Sequence, residues 1–234
     1  MELDFAKGTR LPDFRLATLG GTSVCRDDIL GRPALYFGWA SWDTSRELLP
    51  ALQKFHEDNG DRIEVVTIAF DVQGTEHPLR YLRAARHSHT ALIDATCELS
   101  RRWGVIEVPF ALVADADGIV RLVGESADEG FLGAALSALP KKAEKAPPEK
   151  PCEHPLPRFE ILLQSCTNLL GRGRRDEALL ALQQALDIAP RNLLVRKQMW
   201  AIAHPERFYS GPIDLAWQKT QEDATRSMRP MKKR

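Results

Sequence analysis

The chain has 234 residues, with 32 acidic and 32 basic side chains and therefore a formal net charge of zero. This balance excludes a general electrostatic attraction to nucleic acid or to an anionic membrane surface. A hydrophobic content of 44% and a charged content of 27% are typical of a globular protein. The length allows one large domain or two smaller ones.

The N-terminus has no basic region followed by an apolar stretch, so it does not predict a signal peptide. No apolar run is long enough to predict a membrane-spanning helix. The basic residues between Arg226 and Arg234 predict a solvated tail rather than a nucleic-acid contact. We therefore expect a cytoplasmic protein that keeps its thiols reduced. No pair of its four cysteines forms Cys-x-x-Cys: they are Cys25, Cys97, Cys152 and Cys166.

Residues 1–139 predict alternating strands and helices. Residues 11–16 alternate in polarity, and Gly20 and Gly21 predict a turn into a returning strand. The apolar runs at 36–40 and 65–69 predict two buried strands. Further strands are expected at 90–94, 111–113 and 119–123, and helices at 76–86, 96–103 and 130–139.

The turn after the strand at 36–40 is the centre of the predicted site. Asp43, Thr44 and Ser45 are good N-cap residues, and apolar residues at helical spacing follow them. A helix start presents free backbone N–H groups and a partial positive charge. We expect Asp43 to cap the helix and Arg46 to be free to bind a carboxylate or a partner.

Proline and lysine dominate residues 140–157, which predicts a linker to a second domain at 158–234. Within the linker, Cys152 and His154 are too few ligands for a zinc site. The second domain predicts helices at 159–170, 175–188 and 192–202. One helical repeat is not stable alone, so it must dock on the first domain, a second copy, the C-terminal segment or a partner. Its aromatic residues form either a core or a helical interaction surface: Phe159, Trp200, Phe208, Tyr209 and Trp217.

Several motifs are similar to those of known families. The segment from Phe37 to Trp42 resembles the one that precedes the Cys-x-x-Cys of TlpA/ResA-like thiol–disulfide oxidoreductases. Residues 11–16 and 104–109 resemble the same AhpC/TSA redoxins, so the resemblance covers about residues 11–139. It implies an α/β thioredoxin-like fold of the redoxin type, a central mixed sheet with flanking helices, and a cis bond before Pro109. The spacing of glycine, alanine and proline at 173–190 resembles half of a tetratricopeptide repeat, which implies a small all-α domain.

The resemblance places Asp43 and Ser45 where the family has cysteines. Neither a carboxylate nor a hydroxyl can exchange with a disulfide, so it implies a retained fold without dithiol chemistry. The former redox site and binding cleft would then consist of Trp42, Asp43, Thr44, Ser45, Arg46, Glu107, Pro109 and Phe110.

Three functions follow as hypotheses. The first is a redox-inactive interaction, adaptor or accessory protein without cofactor or metal, bound to another protein through its helical domain or the Pro109 cleft, or to a second copy as a homodimer. The second is a disulfide reductase or peroxidase with a single cysteine, such as Cys97, since a thiol at a helix start can have a lowered pKa, or Cys25. The third is small-molecule binding at residues 44–46. The segment His87-Ser88-His89 predicts a solvated connection.

Overall fold

The computed structural model describes residue 3, residues 6–140 and residues 158–227. We call residues 6–140 the sheet portion and residues 158–227 the helical segment. The predicted linker residues 141–157, with Cys152 and His154, and the tail after residue 227 lie outside the described residues. The sheet portion contains strands β1 (Arg15–Thr18), β2 (Ser23–Cys25), β3 (Ala34–Trp39), β4 (Glu64–Ala69), β5 (Thr90–Ile93), β6 (Phe110–Ala114) and β7 (Val120–Gly124).

These strands form one mixed sheet in the order β2-β1-β5-β4-β3-β6-β7. Strands β3 and β4 are parallel neighbours, with Tyr36 opposite Val66, as the two apolar runs predicted. Strand β6 lies antiparallel on the other side of β3. All six residues of β3 are buried, because the strand is central and both faces of the sheet are covered.

The helices of the sheet portion are α1 (Leu49–Asn59), α2 (Glu76–Ala84), α3 (Glu98–Arg102) and α4 (Glu129–Ala135), and a 3-10 turn at Thr44–Leu48 leads into α1. The predicted α2 extended too far, because Arg86 adopts a left-handed φ of 54° that ends the helix. The helix predicted at 130–139 began one residue late and extended four residues beyond the end of α4 at Ala135. Asp128 caps its start by accepting a hydrogen bond from the Phe131 amide at 2.9 Å.

Side chains alternate between two apolar cores along β3, as the pleat of a strand requires. Leu35 and Phe37 belong to the core under α1 and α4, together with Leu52. Tyr36 belongs to the core on the opposite face, which also contains Trp103. The sequence analysis left open where the helical segment docks.

The helical segment contains α5 (Arg158–Gly171), α6 (Arg175–Ile188), α7 (Leu193–Ala203), α8 (Glu206–Tyr209) and α9 (Leu215–Ser227). Helices α5 and α6 form a hairpin around Gly173, whose φ of +72° suits glycine. Ala178 and Ala185 are fully buried in the same cluster as Cys166, since small side chains let the two helices approach. The three predicted helices are therefore present within one or two residues of their expected ends.

Helix α7 docks on the second face of the sheet. Leu194, Trp200 and Phe208 share one core with Tyr36 and Trp103. Three hydrogen bonds to backbone groups of the sheet portion, two from α7 and one from α5, hold the helical segment in place. The Leu194 amide donates to the Ile106 carbonyl at 2.9 Å, the Val72 amide to Gln198 Oε1 at 2.6 Å, and Thr167 Oγ1 to the Ala95 carbonyl at 3.2 Å. Of the docking surfaces that the sequence left open, the structure places the helical segment on the sheet portion.

The segment His87-Ser88-His89 is not fully solvated, so that prediction was wrong for His89. This side chain is 4% exposed, and burial lowers its pKa to about 3. Its ring nitrogens lie 3.1 Å from Gln53 Oε1 and 3.3 Å from Thr67 Oγ1. Among the described residues, no helix combines the length and the apolar character that crossing a bilayer requires.

Candidate binding site at the turn after strand β3

Asp43 caps the helical turn that follows β3. Its backbone is extended, and its Oδ1 accepts a hydrogen bond from the Ser45 amide at 2.9 Å, so the predicted cap is present. Asp43 is 8% exposed, and its Oδ2 lies 3.6 Å from Nζ of Lys197 on α7. Thr44, the first residue of the turn, is half-buried, and Ser45 is buried. The turn therefore lies beneath the helical segment.

Arg46 connects the turn to the helical segment. Its Nη1 donates to the Ser41 carbonyl at 2.8 Å, to the Tyr81 hydroxyl at 2.7 Å and to the Phe208 carbonyl at 3.0 Å. Its Nη2 donates to the Gly211 carbonyl at 3.3 Å. The guanidinium also stacks 4.6 Å from the centre of the Tyr81 ring. Arg46 therefore uses its donors inside the chain, whereas we expected it to be available to a carboxylate or a partner.

Tyr209 covers the turn beside Arg46. Its ring stacks on His77 at 4.0 Å with an interplanar angle of 8°. Its hydroxyl accepts a hydrogen bond from Gln73 Nε2 at 3.0 Å and lies 3.5 Å from Ser41 Oγ. Burial is the main cause that raises the pKa of Tyr209 above its usual range. The phenol therefore acts as a neutral hydrogen-bonding group in this contact.

Two buried carboxyl groups lie behind the turn, and the sequence analysis missed both. Asp71 accepts hydrogen bonds from the Ser41 amide at 3.0 Å and from Ser41 Oγ, while Asp94 accepts from the amides of Glu98 and Leu99 at 2.7 and 2.9 Å. Burial raises the pKa of each to about 7. The signal was available, because each aspartate comes just after an adjacent parallel strand, and such strand ends meet at one edge of the sheet.

Cys97 lies next to these carboxyl groups but is fully buried. Burial first, and then the nearby Asp94, raise the pKa of the Cys97 thiol well above its usual value. The lowered pKa that the single-cysteine hypothesis requires is therefore not found for Cys97. Gln198 Nε2 lies 3.5 Å from its Sγ. Cys166 is also buried, with a pKa raised to about 12, whereas Cys25 is half-buried and its Sγ donates to Asp28 Oδ2 at 3.1 Å.

The peptide bond between Val108 and Pro109 is cis, as the resemblance implied. Pro109 and Glu107 are half-buried. Phe110 is buried in the core and faces neither solvent nor a cleft. Trp42 is also a core residue, 1% exposed, and its Nε1 donates to the Phe70 carbonyl at 3.0 Å. Trp42 and Phe110 therefore support the site from beneath instead of lining an open cleft.

The predicted helical interaction surface is packed within the chain. Trp217 makes edge-on contacts with Trp200 and Phe208, at ring separations of 5.9 and 6.2 Å. Phe159, Trp200 and Phe208 are buried, and Tyr209 and Trp217 are half-buried. These side chains hold the helical segment together and to the sheet.

Comparisons with known proteins agree with this fold. No protein-family model matches the chain. The thioredoxin-like protein YneN of Bacillus subtilis (strain 168) is 24% identical over 124 residues, which are 51% of this chain and 72% of that protein. A putative thiol:disulfide interchange protein DsbE from Chlorobium tepidum superposes with a TM-score of 0.52 at 23% identity, covering 58% of this chain and 96% of that one.

A putative protein disulfide isomerase from Bacteroides thetaiotaomicron superposes with a TM-score of 0.51 at 18% identity, covering 58% of this chain and 88% of that one. These likenesses, together with the mixed sheet and its flanking helices, show that the fold is thioredoxin-like.

Proposed function

We propose that this chain is an interaction or accessory protein on a thioredoxin-like fold, without dithiol–disulfide exchange at the turn after β3. The supporting observation is the cover on that turn. The Ser45 amide donates to Asp43, and the helical segment contacts this turn at three points: Lys197 lies 3.6 Å from Asp43, the Phe208 carbonyl accepts from Arg46 at 3.0 Å, and the Tyr209 hydroxyl lies 3.5 Å from Ser41 Oγ. A turn used in this way holds two parts of the chain together and leaves little room for a disulfide substrate.

A thiol-dependent oxidoreductase is the second candidate, favoured by the names of the similar proteins. Such an enzyme needs an accessible thiolate. Cys97 and Cys166 are buried, and their thiol pKa values are raised. Among the described cysteines this leaves Cys25, which is half-buried. The third hypothesis was a small molecule bound at residues 44–46. The described residues do not favour it, because the Ser45 amide and the Arg46 guanidinium already donate hydrogen bonds to other groups of the chain.

Two assays separate the first two candidates. Insulin reduction and peroxide consumption are measured for the wild type and for the Cys25→Ser and Cys97→Ser variants. We expect no turnover above the uncatalysed rate in any of them. Turnover that disappears in one cysteine variant would overturn the proposal and identify the reactive thiol.

A third experiment tests the interaction role directly. The tagged full chain is expressed in its native host, cross-linked and purified, with a tag-only control. We expect at least one protein to copurify in a defined ratio. If the chain is recovered alone while a metabolite screen yields a ligand, the interaction proposal fails.

A further inference from the structure

A second feature lies away from the turn: a cleft of about 630 Å³ between α3 and α5. It exists only where the helical segment meets the sheet portion, because each supplies one wall. The ion pair of Arg101 on α3 with Glu160 on α5 joins the two walls, with side chains 15% and 7% exposed. The Thr167 hydrogen bond to the Ala95 carbonyl fixes the same two parts. The cleft is therefore a built and composite surface.

One continuous face of α5 lines the cleft. Ile161, Gln164 and Asn168 follow one another at spacings of three and four residues, which places them on the same side of α5, and Arg172 lines the cleft from the turn directly after the helix. Ile161 is 57% exposed, and the three polar residues are also exposed. Within residues 6–140 and 158–227, the side chains of those three form no hydrogen bond or ion pair. The face thus offers unused hydrogen-bonding groups next to an apolar one.

The dimensions of this face suit an extended peptide. At ~1.5 Å per residue, α5 runs for about 15 Å from Ile161 to its end at Gly171, next to Arg172. An extended chain rises ~3.3 Å per residue, so about five residues would span it. The amides of Gln164 and Asn168 each provide donors and an acceptor. Both can therefore pair with the N–H and C=O groups of a peptide backbone.

Charge narrows the choice of ligand. On the α3 wall, Arg101 is balanced by Glu160, and Arg102 is balanced by Glu98 at 2.7 Å. Arg172 is the cleft residue whose charge has no opposing partner among the described residues. A guanidinium binds a carboxylate through paired hydrogen bonds. One uncompensated cation suits one carboxylate and is too little for a polyanion such as nucleic acid.

We propose that this cleft binds an extended segment of about five residues from a partner protein, with a carboxylate at the Arg172 end and an apolar side chain at the Ile161 end. The inference rests on the proposed interaction function and gives the chemistry of the partner. The carboxylate is either an acidic side chain or a free C-terminus. Because one wall belongs to each part of the chain, the segment binds only while the helical segment is docked.

Selection from a random heptapeptide display library with free C-termini, on the full wild-type chain, tests this. We expect enriched peptides with a carboxylate near one end and an apolar residue four or five positions away. Synthetic versions, labelled for fluorescence anisotropy, should bind Arg172→Glu at least tenfold more weakly and Asn168→Ala several-fold more weakly. Amidated versions of the same peptides distinguish a C-terminal carboxylate from an acidic side chain.

Arg191→Glu is the matched control, since Arg191 is an exposed arginine of the helical segment that does not line the cleft. It should bind the peptides as the wild type does, and circular dichroism should show both variants folded. Peptides that bind equally to Arg172→Glu and Arg191→Glu, or a selection without enrichment, overturn the inference. If host proteins copurify equally well with Arg172→Glu, the interaction function stands and only the cleft assignment fails.

Discussion

The guanidinium of Arg46 donates to the backbone carbonyl of Phe208, 162 residues further along the chain, at 3.0 Å. Arg46 stands at the helix start of the sheet portion, and Phe208 is fully buried in the core that the sheet and the helical segment share. One side chain thus joins the turn after β3 to the element that covers it.

Replacing Arg46 by alanine should therefore weaken docking of the helical segment. Several charge-assisted hydrogen bonds are lost together, and the variant should lose about 2 kcal/mol in free energy of unfolding. Urea denaturation measures this loss, and limited trypsin digestion shows whether the helical segment opens first. Arg46→Lys should restore only part of it, because an ammonium cannot reproduce the planar arrangement of donors. Unchanged stability in Arg46→Ala would mean that the apolar contacts of Phe208 and Trp200 suffice for docking.

Asp71 should make stability depend on pH. Its pKa in the folded chain is about 7, above the ~3.9 of an unperturbed aspartate, so the folded state retains a proton that the unfolded state releases. The stabilisation that this retained proton provides is fully present below about pH 4 and is lost as pH rises toward about 7. Over that range the free energy of unfolding should fall by at most about 1.4 kcal/mol per pH unit. Urea denaturation of the wild type and Asp71→Asn between pH 4.5 and pH 8 should show that the free energy of unfolding falls less steeply with rising pH in the variant.

Asp187→Asn serves as the control for this measurement, since Asp187 is an exposed residue of α6. Its pH profile should match that of the wild type. Asp94 titrates in the same window in all three proteins, so only the difference between profiles reports on Asp71. Identical wild-type and Asp71→Asn slopes would show that Asp71 remains ionised in the fold.

Thiol reactivity should follow burial. With iodoacetamide at pH 8, followed by peptide mapping, we expect Cys25 to be alkylated at least tenfold faster than Cys97 or Cys166, because the latter two are buried and have raised pKa values. In guanidinium chloride the three rates should converge. Rapid alkylation of Cys97 in the folded chain would contradict this expectation and support the hypothesis of a single-cysteine enzyme.

Gly38 should not tolerate a side chain. A Cβ at this position in β3 would overlap the ring of Phe110 on the neighbouring strand β6. Gly38→Ala should therefore lower the free energy of unfolding by about 1–3 kcal/mol, the usual cost of overpacking a core. Thermal melting measures it. The double variant Gly38→Ala/Phe110→Leu should lose less free energy of unfolding than the two single variants lose together. Strictly additive losses would show that the strain does not arise between these two side chains.

Much of the fold could be predicted from local pattern. The apolar runs gave β3 and β4, and the cis bond before Pro109 followed from a resemblance. Caps and turn residues placed the ends of most helices within two residues. These features depend on neighbours in the chain, which periodicity and capping preferences record.

The candidate site could be predicted only in part, because its contacts join distant segments. Asp43 was recognised as a cap, since the Ser45 amide is two residues away. The hydrogen bonds of Arg46 to the Phe208 and Gly211 carbonyls and the burial of Phe208 depend on how the helical segment docks, which no local pattern encodes. The same holds for Cys97: a helix start suggested an activated thiol, but α7 packs over it through Gln198.

Lys197 lies 3.6 Å from the carboxylate of Asp43, and this contact limits which substitutions the turn after β3 can accept. Cysteines introduced at 43 and 45 would remove the helix cap and leave Lys197 without its counter-charge. They would also take two positions that are buried in this fold, where Asp43 is 8% and Ser45 is 3% exposed. The turn and the helical segment that packs on it therefore constrain each other, and cysteines introduced at this turn would require changes in both.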